Sequence, residues 1–418
     1  MEGRAKNGTA VRFSATFRAF ANRSYACMWF ANCLSDTSRW MQLTLMAWLI
    51  LELTDSPWHV SLVGFFLMFP TLALGLVGGV LADETDRRRL LIIMQGACIV
   101  ACLGMTLVLA GGAVKTGSVY LTILITGTAW ALGFPSRRAL IFDLLGASGV
   151  TNAVALDTVG MNVSRVLGPG LGGLLISLTG VAGGYGVVTL FYIISFVLLL
   201  FMRVESLPQH KRHNRRMFRN LMEGFRYIRQ TPSILAVVWV TVAMNFLLFP
   251  YIPMVSVMAR DVLHVGPALM GILQAAQGFG AVVGAILIAS AGSISFHGRI
   301  FVCGSLFAMI GLGVFAVSPW YLLSFSSLLF LGLGASAFAT IQAALVMLVA
   351  KKEMRGRALG VVSLAIGAGP LGSLMLGAMA SWIGPLQALA LNSLAGVIAV
   401  VLIALAIPSI IDRTRPDA

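Results

Sequence analysis

Charge is what this 418-residue sequence has least of: Asp, Glu, Lys and Arg together make up 11% of it, where a soluble domain carries about 25%. That shortage excludes an ordinary water-soluble globule. Acidic residues are scarcer than basic ones, 15 against 29. Cysteine and histidine are also few, five of each. The cysteines (Cys27, Cys33, Cys98, Cys102, Cys303) all fall in apolar runs, and an odd number there argues against a disulfide framework. The histidines (His59, His210, His213, His264, His297) fall in loops or at helix ends, and no His/Cys grouping has metal-site spacing. The pattern G-x-x-x-x-G-K-[ST] is absent, which excludes ATP-powered work of the P-loop kind. Nothing points to an enzyme, and no cofactor is expected.

What is present is apolar sequence in long runs: 58% of residues are hydrophobic and the mean hydropathy is +0.92. A helix crossing a bilayer needs about 20 such residues. Twelve runs qualify, at roughly 25–53, 59–82, 89–112, 117–137, 153–178, 184–202, 232–257, 267–291, 298–317, 319–349, 357–382 and 385–408. The fold class is therefore an all-α membrane protein with twelve transmembrane helices. The glycine pairs at 111–112 and 183–184 read as turns between them.

An even count puts both termini on one side, and the basic residues test it. The arm, the even-to-odd loops and the tail receive 25 of the 29 Lys and Arg, the opposite side only Lys115 and Arg260, with Arg39 and Arg165 left inside helices. That asymmetry makes the first side cytoplasmic. It also accounts for the net charge of +14 through topology and anionic inner-leaflet lipid, with no nucleic acid required. The chain divides into a basic cytoplasmic arm (1–24, with no cleavage site), a six-helix half (25–202), a cytoplasmic linker (203–231), a second six-helix half (232–410) and a cytoplasmic tail (411–418). Within the linker, Phe218, Leu221, Met222, Phe225 and Ile228 alternate with Arg219, Arg226 and Arg229, the pattern of an amphipathic helix on the inner leaflet.

The two halves resemble each other. Gly168-Pro169-Gly170 in helix 5 is matched by Gly369-Pro370 in helix 11, and Gly64 near the start of helix 2 by Gly271 near the start of helix 8. Two parallel repeats around a midplane site are the plan of a rocking transporter. The loop from Gly78 to Leu90 packs six charges into the seven residues 83–89, so it must sit at a membrane surface. Its Gly79, Leu81, Asp83, Arg87 and Arg88 resemble the loop 2–3 signature of the major facilitator superfamily. Glu84 and Asp86 depart from it, and with Trp40-Met41-Gln42, Leu53-Thr54-Asp55-Ser56-Pro57, Asn152-Ala153-Val154-Ala155-Leu156 and Arg165-Val166-Leu167-Gly168-Pro169 they resemble the bacterial enterobactin-exporter-like branch, the transmembrane secretion effectors.

The resemblance implies a multi-pass, monomeric protein of the bacterial inner membrane with the major facilitator fold. It also implies a latch in which Asp83 faces the start of helix 11, with Arg355 and Arg357 as partners and Arg87 and Arg88 ordering the turn. An anion there is favoured by the helix dipole. Helix 5 matches the antiporter pattern at Gly168, Pro169, Gly172 and Gly173, which by resemblance points to export; close packing of small residues accounts for the same glycines.

Ionisable residues inside the membrane are functional candidates because placing them there is costly. Asp36 and Arg39, Arg165, and Asp157 qualify. Burial disfavours a charged carboxylate and a nearby arginine favours it, a competition on which proton coupling can run; a static pair of Asp36 with Arg39 or Arg165 is the alternative. The second half offers neutral groups for a substrate cavity: Asn245, Gln274, Gln277 above all, and Gln342, with Trp40 from the first half. Taken together, the sequence reads as a secondary transporter that exchanges a small amphipathic solute such as a siderophore, drug or metabolite for protons. An importer or lipid-flipping carrier on the same fold, and a non-transporting receptor or scaffold, are the alternatives.

Overall fold

The structure, a computed structural model, describes residues 17–203, 217–291 and 296–412. Among them there is no strand, and nearly everything is helix. Hydrocarbon offers backbone N–H and C=O groups no partner, so every crossing segment must satisfy its own. We label the crossing-length helices α1 Arg23–Thr54, α2 Pro57–Glu84, α3 Arg87–Ala110, α4 Thr116–Gly146, α5 149–179 and α6 181–201. The second half follows with α7 Pro232–Val262, α8 Pro267–Ser290, α9 His297–Val317, α10 Tyr321–Val349, α11 Arg355–Ile383 and α12 Pro385–Ala406.

Among the described residues, ten stretches are long and apolar enough to cross a membrane. One of them, Gly149–Phe201, has 53 residues and would reach about 80 Å at 1.5 Å per residue, far more than the roughly 30 Å of a hydrocarbon core. It breaks at Gly180, whose φ of 71° a side chain would resist, and so supplies α5 and α6. The glycine pair 183–184 read as that turn lies inside α6 instead, where a Cβ on Gly184 would press on Leu45. Helix α1 falls outside the ten, and it is the one that carries Asp36 and Arg39.

The largest departure from the expected boundaries is α4. The sequence places a loop after residue 137, but the helix runs on to Gly146, carrying Arg137, Arg138 and Asp143 with it. Arg137, counted among the cytoplasmic basic residues, is only 6% exposed. Within the stretch expected to be an arm, residues 18–21 form a 3-10 turn and α1 begins at Arg23. Ala19 N–H donates to Asn152 and the Asn22 amide to the Leu144 carbonyl, which ties this end of α1 to the junction of α4 and α5.

The halves meet along two seams, α5 against α8 and α2 against α11. At the first, a Cβ on Gly173 would lie 2.8 Å from Gly271 Cα, and one on Gly271 would lie 2.5 Å from the Pro169 carbonyl oxygen. A Cβ on Gly278 would lie 3.0 Å from the Arg165 carbonyl. Gly168 packs on Trp40 and Gly172 on Met41 and Thr44 of α1. The helix 5 glycines thus stand where two neighbours approach the backbone, the role small residues play in membrane helix packing. In the second half Gly372 meets the Phe246 carbonyl, the counterpart expected from the repeat.

The linker helix Met217–Arg229 docks on protein along one flank. Ile228 is buried, Glu223 pairs with Arg357 at 2.8 Å, and the Tyr227 hydroxyl accepts from Lys351 N–H. Met222 and Phe225 stay exposed. The side chains of Phe218, Arg219 and Leu221 lie outside the described residues, as do 204–216 and the tail from 413.

Candidate functional site

The first half buries a charge cluster that no local spacing reveals. Arg137 of α4 donates to Asp36 of α1 at 2.7 Å and to Asp157 of α5 at 2.8 Å. All three are nearly inaccessible. One guanidinium serves two carboxylates because its fork offers separate N–H donors to each: Nη1 reaches Asp36, Nε and Nη2 reach Asp157. The pairing of Asp36 with Arg39 or Arg165 is therefore replaced by one with Arg137, which the sequence had assigned to a loop. The second oxygen of Asp157 has no hydrogen bond; Arg138 Nε lies 4.0 Å from it.

The cluster opens on a cavity of about 70 Å³ lined by Asp36, Arg137, Arg39, Gln95, Thr126 and Trp130, among others. A second cavity, of about 240 Å³, lies between the halves, walled by α1, α2, α5, α7 and α11. Arg39, Trp40, Arg165 and Asn245 line it, together with Met68, Thr71, Phe249, Pro250, Pro253 and Ser373. Arg39 borders both cavities. Where Asn245 faces the space, α7 carries a π-helical turn, Met244–Leu248, and then the two prolines, irregularities that often mark functional positions in helices.

Of the cavity residues expected from the sequence, Trp40 and Asn245 line the larger space. Gln274 and Gln277 line a small annex beside it, with Arg165 and Tyr251. Gln277 accepts from Arg165 Nε at 3.1 Å, and Gln274 accepts from the Thr44 hydroxyl at 2.5 Å, both across the halves. Gln342 is not among the residues lining these three spaces; it donates to the Thr241 hydroxyl at 2.6 Å, between α10 and α7.

The expected latch turns on Asp83, in the charged loop. The Asp83 side chain lies outside the described residues. Its expected partners are engaged locally, Arg357 with Glu223 and Arg355 with the Ala350 carbonyl. Arg87 grips both oxygens of Asp143 at 2.7–2.8 Å and Arg88 donates to the Leu200 carbonyl. These contacts tie the turn to α4 and α6. The turn itself is ordered by Asp86, which caps α3 by accepting from Arg89 N–H. Gly79 packs against nothing that a Cβ would touch.

Arg260, which the sequence left as a stray outer charge, turns out to bridge the halves. It pairs with Asp55 at 2.7 Å and donates to the Leu51 carbonyl at 3.0 Å, joining the end of α7 to the end of α1. Asp55 sits there in a left-handed conformation, φ 48°. Since α1 starts beside Arg203 and spans 32 residues, this clamp lies about 48 Å from the linker side. An isolated Arg and Asp near membrane ends in different halves were the available signal.

Comparison with known proteins fits this geometry. The chain is 27% identical over 334 residues to the enterobactin exporter EntS of Shigella flexneri, covering 78% of each. It is 27% identical over 336 residues to that of Citrobacter koseri, covering 78% of this chain and 79% of the relative. Among solved structures it superposes on an inward-facing bacterial homologue of the human lysosomal transporter Spinster (TM-score 0.67, 15% identity, 93% and 96% covered). It also superposes on the nucleoside transporter NupG (0.71, 13%, 93% and 100%) and on a peptide transporter of the POT family (0.73, 12%, 93% and 95%); these establish the fold. The model of the transmembrane secretion effectors matches residues 14–413, nearly the whole sequence. The chain belongs to the transmembrane secretion effector family, and it is a secondary transporter of major facilitator type.

Proposed function

We propose that this transporter exports a small amphipathic solute from the cytoplasm of a bacterium, across the inner membrane, in exchange for protons moving inward. All twelve crossing-length helices span the bilayer in this reading, and the cavity between the halves opens to one side at a time. The observation that carries it is the cluster of Asp36, Arg137 and Asp157. Two buried carboxylates share one guanidinium, so within these three residues one negative charge is in excess, and a proton on either acid makes the trio neutral. An inward proton releases about 2.3 kcal/mol per 100 mV of membrane potential. The export direction follows the named activity of the relatives. Arg39, shared by the two cavities, stands where protonation of the cluster and occupancy of the solute cavity can influence each other.

Comparative profiling of the medium from cells with and without the protein, iron limitation included, tests the reading. At least one amphipathic compound should accumulate outside only when the protein is present. A protonophore should abolish that accumulation, and Asp36→Asn should cut it about tenfold with the protein still in the membrane. No protein-dependent compound, or one whose export ignores the protonophore, overturns it.

A further inference from the structure

With Arg137 holding both acids, Arg39 and Arg165 are left without a carboxylate. Among the described residues neither has one within 4.0 Å, and no Asp or Glu lines the 240 Å³ cavity both border. Each guanidinium rests on a tryptophan: Arg39 over Trp130 at 4.2 Å, Arg165 over Trp40 at 5.2 Å. Aromatic faces offset only part of the cost of taking a cation from water. The remaining demand is visible in the donors. Arg39 Nε is buried without a hydrogen-bond partner. Gln277 turns its oxygen to Arg165, which can only donate, so its amide N–H groups face away, and Nε2 has no partner. Gln274 Nε2 is likewise unpaired. The annex between these amides has room for about one oxygen-sized atom.

We propose that the cavity between the halves is an anion site: it takes a solute bearing an oxyanion such as a carboxylate, placed between Arg39 and Arg165, with an apolar or aromatic body against Met68, Phe249 and the α7 prolines. The inference deepens the export reading by naming the class of solute. Charged acceptors suit these groups because an N–H to oxyanion bond is stronger than a neutral one and an arginine fork can engage two oxygens. A neutral solute would leave Arg165 uncompensated and Arg39 facing only the one excess charge of the Asp36 cluster across the smaller cavity, and a cationic one would add a further positive charge. An anionic lipid headgroup presents the same oxyanion chemistry, so the assay separates the two sources.

Purified protein in phosphatidylcholine nanodiscs is titrated with 2-naphthoate, 2-naphthylmethanol and 2-naphthylmethylammonium, and the quenching of tryptophan fluorescence is followed. Naphthoate should saturate at a concentration at least about tenfold below the alcohol, with the ammonium weakest. Arg165→Gln and Arg39→Gln should each weaken naphthoate about tenfold and leave the alcohol unchanged, Arg165→Lys should retain more affinity than Arg165→Gln, and Lys115→Gln, on an exposed loop, should have no effect. Adding phosphatidylglycerol should leave naphthoate affinity intact. Equal binding of the three probes, wild-type naphthoate affinity in both folded glutamine variants, or displacement by phosphatidylglycerol would each overturn the proposal. Should a glutamine variant fail to fold, the three-probe series on the wild type and the lysine variant still decide the question. Because binding is read without transport, naphthoate binding in cells that show no proton-driven export would sink the export reading alone. Export of compounds that bind no better than the alcohol probe would sink the anion site alone.

Discussion

The two halves share a helical plan but differ in what they bury. The first encloses full charges: Asp36, Arg137 and Asp157 in contact, Arg39 on the same small cavity as Asp36, and Arg165 on the larger one. The described part of the second encloses hydroxyls and amides at comparable depth, Thr241 with Gln342 and Ser393 with the Met309 carbonyl. Neutral pairs cost little to bury and are nearly indifferent to what approaches them, whereas a buried ion constrains everything in its neighbourhood. A duplicated scaffold has thus been divided, one half carrying the chemistry and the other acting as the wall against which it works.

The sharpest way to break that contrast is to unbalance the charged half. Arg137→Met removes the guanidinium that Asp36 and Asp157 share and leaves Asp157 the longer contact with Arg138, 4.0 Å; removing one partner of a buried ionic group costs about 3–5 kcal/mol. Thermal unfolding of the detergent-purified protein should show the largest loss of any single change discussed, and adding Asp36→Asn and Asp157→Asn to it should restore most of the stability. If the triple variant is no more stable than Arg137→Met, the cluster is not an isolated electrostatic unit. A middle-sized effect is expected at the clamp joining the halves. Arg260 and Asp55 are partly exposed, so Arg260→Gln should cost no more than about 1 kcal/mol. That suffices for about a fivefold shift in the balance between two conformations, which spin-label distances between the ends of α1 and α7 should register. The smallest effect belongs to the neutral half: Gln342→Leu removes one buried hydrogen bond with Thr241, about 1 kcal/mol of stability, and transport should be unchanged.

Helix positions were largely readable because the bilayer imposes length and apolarity on each segment, and most boundaries fall within a few residues of expectation. The end of α4 was unreadable for a specific reason. Pro135-Ser136-Arg137-Arg138 has the composition of a loop, and it is a helix because Asp36 and Asp157, from 101 and 20 residues away, receive Arg137. The same distance in sequence hid the true partner of Asp36, since local spacing offered only Arg39. Arg165 and Gln277 were both singled out, but their bond depends on how α5 meets α8, which no one-dimensional pattern contains. Gln342 looked like a cavity residue for want of any sign that Thr241 would take it.

The glycine contacts along α5 and α8 have a consequence for movement. From Gly173 beside Gly271 to Arg165 beside Gly278, backbone meets backbone over about two helical turns, roughly 12 Å. Side chains that interlock act like teeth, and the glycines leave few here to mesh. If the halves rock as proposed, this strip serves as the bearing: groups close to it, such as Arg165 and Gln277, travel little and stay together, while the distant contact of Arg260 with α1 has the full lever arm and must part. A single methyl on Gly173 would put grit in that bearing while leaving the rest of the machine untouched.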